Sequence, residues 1–343
     1  MNRPAPMGVL RSGWQSSVDD YAIAGGWTSD GDLLLVGDAA GSVQALGGRD
    51  GLCRWKSDQI HEGGVMDAGM NPVSDTFATA GQDGQIILWR SADGTRLATL
   101  PASRRWVEHI AWSRCGRWLA AASGRNVLVY TAEGEQVWVS EDYPSTVSGL
   151  AWTAAGELAT TCYGRVTFSA LPDGEETDRL EWKGSLISLA LSADDDVVAC
   201  GSQDNTVHFW RRSEHEDSMM SGYSGKPGAL AFDASGSLLA TGGGNDVTVW
   251  SFADGGPEGT APGIHELHQA PITSLAFTTR GQRLASGGRD GAVVVWDLNR
   301  DATGAAAGAA VASGSIERVY WRRDNRSLAA LDAEGGVTAW RVS

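Results

Sequence analysis

The sequence predicts an all-β chain assembled from copies of one small antiparallel sheet, and three observations predict it. Large apolar residues that close a short apolar run recur every 39 to 45 residues: Trp27, Met70, Trp112, Trp152, Leu191, Phe232, Phe277 and Trp321. Behind each stands a second apolar run, in order VQAL, IILW, VLVY, VTFS, VHFW, VTVW, VVVW and VTAW. Glycine is abundant, at 45 residues against 10 prolines, which suits many tight turns rather than disorder.

Each unit repeats the same order of elements. The anchor residue ends a first strand. A polar turn follows, TSDGD after Trp27, SRCGR after Trp112, DASGS after Phe232 and TTRGQ after Phe277. A strand of small residues comes next, as in LLATGG and RLASGG, then a second turn and the third strand. A fourth, less regular strand fits most intervals, as at RLATL and EQVWVS. Short β-rich runs bounded by Gly and Asp read as strands. Four strands in 40 to 45 residues is the period of a propeller blade. The units run about 18–60, 61–102, 103–142, 143–181, 182–222, 223–267, 268–311 and 312–343. ADGGPEGTAPG and ATGAAAGAAVASG fall within this period as loops plus a weak outer strand. The last unit stops after its third strand, whereas residues 9–17 supply a spare strand before the first unit. Set as the outer strand of the last blade, they predict a single propeller domain over 1–343. It has four-stranded antiparallel blades, eight in number, with seven as the alternative if a terminal unit is irregular.

One hairpin recurs with polar residues at fixed places: ASGGRDGAVVVWDLN (285–299), ATAGQDGQIILWR (78–90) and ACGSQDNTVHFWR (199–211). Counted from Phe277, His268 lies nine residues before, Ser286 nine after, Asp290 thirteen after and Trp296 nineteen after. His61, Thr79, Asp83 and Trp89 stand at the same offsets from Met70. These residues resemble the structural tetrad of WD40 repeats. The resemblance implies a hydrogen-bonded relay inside the blade, from the indole through the hydroxyl and imidazole to the turn Asp. In the fifth unit Asp204 and Trp210 remain, with Cys200 at the hydroxyl position and Trp182 at the His position; in the sixth, Thr241 and Trp250 remain. Tyr143 and Tyr223 hold the His position in the fourth and sixth units and, with Trp182, read as buried packing. ALGGRDGLCRW and VYTAEGEQVW also resemble the docking motif of quinoprotein-like propellers, a pattern not sustained along the chain.

The net charge is −15, from 27 Lys and Arg against 42 Asp and Glu, the wrong sign for a phosphate-backbone binder. No run approaches a membrane span, and MNRPAPMGVLRSGWQSS has no apolar core of signal-peptide length. Cys53, Cys115, Cys162 and Cys200 are widely spaced with no CxxC, which predicts free thiols in a reducing compartment. These features predict a cytoplasmic protein, a monomer that engages neither nucleic acid nor membrane.

No nucleophile elbow, phosphate loop or zinc motif is present, so no catalytic residue and no cofactor are assigned. The expected function is a non-catalytic scaffold for a protein or peptide partner. The WD40 resemblance implies a face built from two loop sets, one joining second to third strands and one joining successive blades. It places Gln82, Arg125, Arg165, Gln203 and Arg289 in the first set and Arg104, Arg105 and Trp106 in the second. Aromatic and Arg side chains are favoured interface anchors. Two alternatives stand beside this. GIHELHQ offers His265, Glu266 and His268 as neighbouring metal ligands, for a metal-binding or metal-delivery accessory protein. A propeller enzyme with a cofactor or ion in its channel is the other.

Overall fold

A computed structural model describes residues 7–343 of the chain. The first six residues of the N-terminal stretch considered above lie outside the described residues. The protein is an all-β, eight-bladed propeller of antiparallel sheets. Its regular structure among the described residues is strand throughout, apart from a single 3-10 turn at Ala253–Gly255. No helix of the described residues is long and apolar enough to cross a membrane. The chain forms two compact units, one of residues Ser16–Leu186 and one of Ile187–Ser343 with the N-terminal segment through Gln15.

Ser16–Leu186 holds four blades. Blade one comprises Ala22–Trp27, Leu33–Asp38, Val43–Gly47 and Cys53–Ser57. Blade two comprises Val65–Met70, Thr76–Gly81, Gln85–Arg90 and Arg96–Pro101, and blade three His109–Trp112, Trp118–Ser123, Asn126–Thr131 and Gln136–Val139. Blade four departs from the pattern. It has Gly149–Trp152, one long strand Leu158–Ala170 and Glu175–Ser185. Its second and third strands merge because the hairpin between them is two residues shorter than in blade two. Thr161 lies nine residues after its anchor, as Thr79 does, but VTFS begins fourteen after where IILW begins sixteen after. Gly164, at φ +87°, makes the bend a side chain would resist.

The second unit holds four more. Blade five is Ala190–Leu191, Val197–Gly201, Val207–Arg211 and Glu216–Met220; blade six is Ala229–Phe232, Leu238–Gly242, Val247–Ser251 and Gly263–His265. Blade seven is Ile272–Phe277, Arg283–Gly288, Ala292–Leu298 and Gly304–Val311, and blade eight Ile316–Trp321, Ser327–Asp332 and Gly336–Val342. Leu10–Ser17 is the outer strand of blade eight, beside Gly336–Val342. Ser343 donates its backbone N–H to the Val9 carbonyl at 3.1 Å, so the two chain ends are stitched together. Just before this, Met7–Gly8 pairs with Gly304–Val311 as a fifth strand of blade seven. That edge reads GAAAGAAV and carries almost no side-chain bulk, which lets a further strand approach.

The second and third strands are buried on both faces; Thr76–Gly81 and Ser327–Asp332 are buried at every residue. The outer strands face solvent, as Glu216–Met220 does. Alternate side chains therefore point into the two neighbouring sheets. In one cluster Ala78, Ile86 and Leu88 of blade two meet Leu119, Leu128 and Tyr130 of blade three. The anchor tryptophans add a directional tie between neighbours. Trp112 Nε1 donates to the Gly69 carbonyl at 3.2 Å, Trp152 to Ala111 at 2.9 Å and Trp321 to Ala276 at 2.9 Å. Each indole thus reaches the first strand of the preceding blade.

Leu10 is fully buried against Leu328, Trp340 and Val293. Leu10→Ala is expected to lower stability by about 2–5 kcal/mol, while Arg11→Ala, on the exposed side of the same strand, changes it little. Urea titration of both variants checks this, and removal of residues 1–17 should lower the melting temperature further. An unchanged melting temperature in the truncated chain would mean that this strand does not secure the last blade.

Candidate partner-binding site

The polar residues at the repeat offsets form continuous relays. In blade two the Trp89 indole donates to Thr79 Oγ1 at 3.0 Å. Thr79 Oγ1 is 2.9 Å from His61 Nε2, and His61 Nδ1 is 3.0 Å from Asp83. An indole N–H only donates and a carboxylate only accepts. The direction is therefore fixed: indole to hydroxyl, hydroxyl to Nε2, and Nδ1–H to Asp83. Blade seven repeats it, with Trp296 to Ser286 at 2.8 Å, Ser286 to His268 at 2.8 Å and His268 to Asp290 at 3.2 Å. The residue two before each Asp must be Gly. A Cβ on Gly81 would lie 2.3 Å from the His61 ring, and one on Gly288 would lie 2.6 Å from that of His268.

The Asp closes the relay onto two loops at once. Asp83 accepts the backbone N–H of Gln85 in its own hairpin at 3.0 Å and that of Glu62 at 3.3 Å. Asp290 does the same for Ala292 at 3.0 Å and Gln269 at 2.7 Å. Burial pushes the Asp290 carboxyl up, but the N–H groups of Gln269 and Ala292 and the His268 imidazole outweigh it and hold it below the usual carboxylate range.

Blade six reaches the same end without a His. The Trp250 indole donates to Tyr223 Oη at 2.9 Å, and Tyr223 Oη is 2.9 Å from Thr241 Oγ1. Thr241 passes the bond on to the Thr248 carbonyl at 3.1 Å. Tyr223 is thus a hydrogen-bonded member of a relay as well as packing. The signal for it was a Tyr at the His position with Thr241 and Trp250 retained. Two further clasps lie off these offsets. Asp38 and Asp332 lie eleven residues after their anchors instead of thirteen. Both are almost fully buried. Asp38 accepts from Ser42 at 2.8 Å and Asp19 at 3.3 Å; Asp332 accepts from Glu334 at 3.0 Å, Gly336 at 2.8 Å and Ser313 at 3.2 Å. They fasten the same two loops as a tetrad Asp does, with no imidazole between.

These fastenings hold the loops rigid. In Ser16–Leu186 the loops form one arc. The hairpin at Gln82–Gly84 accepts Ala102 N–H on the Gly84 carbonyl at 3.0 Å, and Val107 N–H reaches Gly81 at 3.1 Å. The loop between carries Arg104, Arg105 and Trp106. Its backbone is pinned by Ser123, which donates to the Trp106 carbonyl at 2.9 Å, and by Ser103, which accepts the Arg105 N–H at 2.8 Å. The side chains of Arg104, Arg105 and Trp106 are left exposed, Trp106 at 51%. Arg105 lies along Gly124, beside Arg125.

Arg125 is exposed but tethered to the next loop. Its Nε donates to the Tyr143 carbonyl at 2.6 Å and its guanidinium lies 3.8 Å from Asp142. Arg165 is half-buried, with its guanidinium 5.9 Å from the centre of the Tyr143 ring. Gln82 is half-buried at its turn. Tyr163, at the tip of the shortened hairpin of blade four, is 56% exposed and was missed. The shortened spacing was the available signal, since it puts Tyr163 at the turn. In the other unit Gln203 and Arg289 are exposed at the equivalent turns of blades five and seven.

The three residues considered as metal ligands do not converge. His265 Nε2 lies 3.1 Å from the Ala302 carbonyl, with its ring against Trp296. His268 is occupied by Ser286 and Asp290, and Glu266 faces solvent. Among the described residues no group of three His, Cys, Asp or Glu side chains is placed to hold a metal ion.

Residues 56–90, 94–131, 177–211 and 262–297 match the family described as WD domain, G-beta repeat. Both complete tetrads fall within matched segments. These four segments are WD40 repeats. The chain's relatives include WD repeat-containing protein 1-A of Xenopus laevis, 26% identical over 284 residues, covering 78% of this chain and 44% of that protein. Actin-interacting protein 1 of Caenorhabditis elegans is 24% identical over 278 residues, with the same two coverages. The probable cytosolic iron-sulfur protein assembly protein 1 of Mycosarcoma maydis is 28% identical over 204 residues, covering 59% of this chain and 36% of that one. The chain spans less than half the length of each. Among solved structures, the computationally designed Ika8 protein superposes with a TM-score of 0.80 over 95% of this chain and 98% of its own, at 18% identity. The WD40 repeats of RRP9 give 0.66 over 81% and 94%, also at 18%. These likenesses show the fold. The WD40 family is generally non-catalytic and generally binds protein partners.

His268→Ala or Asp290→Ala is expected to cost about 1–3 kcal/mol by orphaning a buried partner, and Trp296→Ala about 3–5 kcal/mol through its cavity. Denaturant melts check both. Burial also sets a pH dependence. It holds His61 below the ordinary histidine range, more strongly than Asp83 raises it, and it lowers His208 and His265 as well. A depressed folded-state value means that the unfolded chain binds the extra proton first. The stability from these neutral imidazoles is full above the unfolded value of roughly 6.5 and is lost as pH falls below it. Stability should thus fall between pH 7.5 and 5.5, less so in His61→Gln, as urea titration at the two pH values would show.

Proposed function

We propose that the chain is a non-catalytic, cytoplasmic WD40 scaffold that holds a protein or peptide partner on the loop arc of blades two to four. The observation that carries this reading is the pairing of rigid backbone with exposed aromatic side chains. Trp106 and Tyr163 leave 51% and 56% of their surface uncovered on loops whose main chains are pinned by hydrogen bonds. Neither side chain is needed to build a blade. A fixed aromatic loses little conformational freedom on binding, which is why such residues serve as anchors. Arg104 and Arg105 beside them favour a partner with acidic groups at the contact. Arg289 and Gln203 offer the same kind of turn-tip contact from the other unit. Arg125 and Arg165 act differently: held against Tyr143, they stiffen the arc. The sign of the net charge speaks against nucleic acid as the partner, and the chain is taken to act as a monomer. One relative is named for interaction with actin.

Trp106→Ala and Arg104→Ala should each weaken binding of a partner recovered from source lysate by about 1–3 kcal/mol, with the melting temperature held. Titration calorimetry with the purified partner checks this, and Arg289→Ala tests the second unit in the same way. Unchanged affinity in all three variants, with a loss on Arg322→Ala instead, would move the site away from these loops.

A further inference from the structure

Blade six carries a part-apolar cleft beside two carboxylates, Asp246 and Glu266. Its relay ends on the Thr248 carbonyl, so no carboxylate is drawn into the blade. Asp246, fourteen residues after the Phe232 anchor, takes no part in that relay. It lines a cleft of about 310 Å³ whose walls include Tyr223, Trp250, Pro262 and Ile264. Ile264 leaves 59% of its surface exposed there. The cleft runs on into an open, mainly polar hollow of about 530 Å³, with Ser224 and Asp246 lining both. Glu266 lines the hollow. No Lys or Arg lines either space; Lys226 lies two residues beyond Ser224 on the same loop and lines neither.

A partner that fits must bring one bulky apolar side chain for the cleft and, within a residue or two, a positive charge for Asp246 and Glu266. We propose that blade six binds an extended peptide in which a large apolar residue is flanked by Lys or Arg. The apolar side chain covers Ile264 and Pro262 and rests against the Trp250 and Tyr223 rings. The cation lies over the hollow, where two carboxylates of like sign have no Lys or Arg in the lining, and the one imidazole there, His268, is held in its own relay with Ser286 and Asp290. This surface does not depend on the arc of blades two to four, since every residue in it belongs to blade six or its flanking loops.

The test uses the full chain and two fluorescein-labelled nonapeptides read by anisotropy. Both carry a central Leu; one flanks it with two Lys, the other with two Glu. The basic peptide should bind saturably and at least tenfold more tightly than the acidic one. Asp246→Lys combined with Glu266→Lys should cut its affinity tenfold or more and reduce or reverse the preference. Ile264→Ser should weaken it several-fold at both 50 and 300 mM salt, which a purely ionic attraction would not produce. Trp106→Ala should leave it unchanged. Equal binding of the two peptides, no saturation at millimolar concentration, or full affinity in the double Lys variant with an unchanged melting temperature would overturn the proposal.

Discussion

A buried indole N–H can donate but never accept, and much of this chain is arranged around finding it an acceptor. Trp89 and Trp296 donate to hydroxyls, Trp250 to a phenol, and Trp112, Trp152 and Trp321 to carbonyls of the preceding blade. Each choice fixes the next bond. A hydroxyl that accepts from an indole has a proton left to give: Thr79 gives it to His61 Nε2, and Tyr223 gives it to Thr241, which passes its own on to the Thr248 carbonyl. Once Nε2 accepts, Nδ1 must donate, and a turn Asp at the surface is the group that can take it. The relay therefore carries a constraint from the blade interior to the loops. Loop rigidity follows from core satisfaction, and the loops carry the proposed partner contacts.

The repeat period was legible because it is written in large side chains. A misplaced Trp or Phe costs more than the turns can recover, so the anchors keep their spacing. The merging of strands in blade four was also present in the spacing, as two missing residues between Thr161 and VTFS. The clasps at Asp38 and Asp332 were hidden because a search for the full tetrad expects its members together. Neither blade has the His or the hydroxyl, so the Asp shifts by two residues and still reaches the same loop N–H groups. The roles of Arg125 and Arg165 could not be read at all. Whether an Arg on a turn faces solvent or a neighbouring carbonyl depends on the path of the next loop, and no local pattern encodes that path. The reverse holds for Trp106. Its exposure follows from having no structural slot in the repeat, which the period alone reveals.

The metal reading failed for an instructive reason. Two His and a Glu within four residues look like a ligand cluster when counted along the chain. Only His265 lies in a strand, however, and Glu266 and His268 follow it on a loop. His265 turns into the sheet packing, Glu266 to solvent and His268 into its relay. Each imidazole is engaged by a different structural partner, and that scatters the ligands.

Substitution at the relay positions has a further consequence for function. Where His61 or His268 is present, the turn Asp is consumed by the imidazole and by two backbone N–H groups, and little of its charge is offered outward. Where Tyr223 replaces the His, the relay closes on a carbonyl inside the blade. The acid near that turn, Asp246, is then released from structural duty. A repeat that loses part of its tetrad thus keeps its fastening and gains a charge at its surface. Blades two and seven are the most regular, and each holds its tetrad side chains in the relay. Blades four and six, which depart from the pattern, display Tyr163 and Ile264 with Asp246. Decay of the motif in a WD40 chain is in this sense where recognition can be built, because each departure frees a side chain that an intact blade would hold inside.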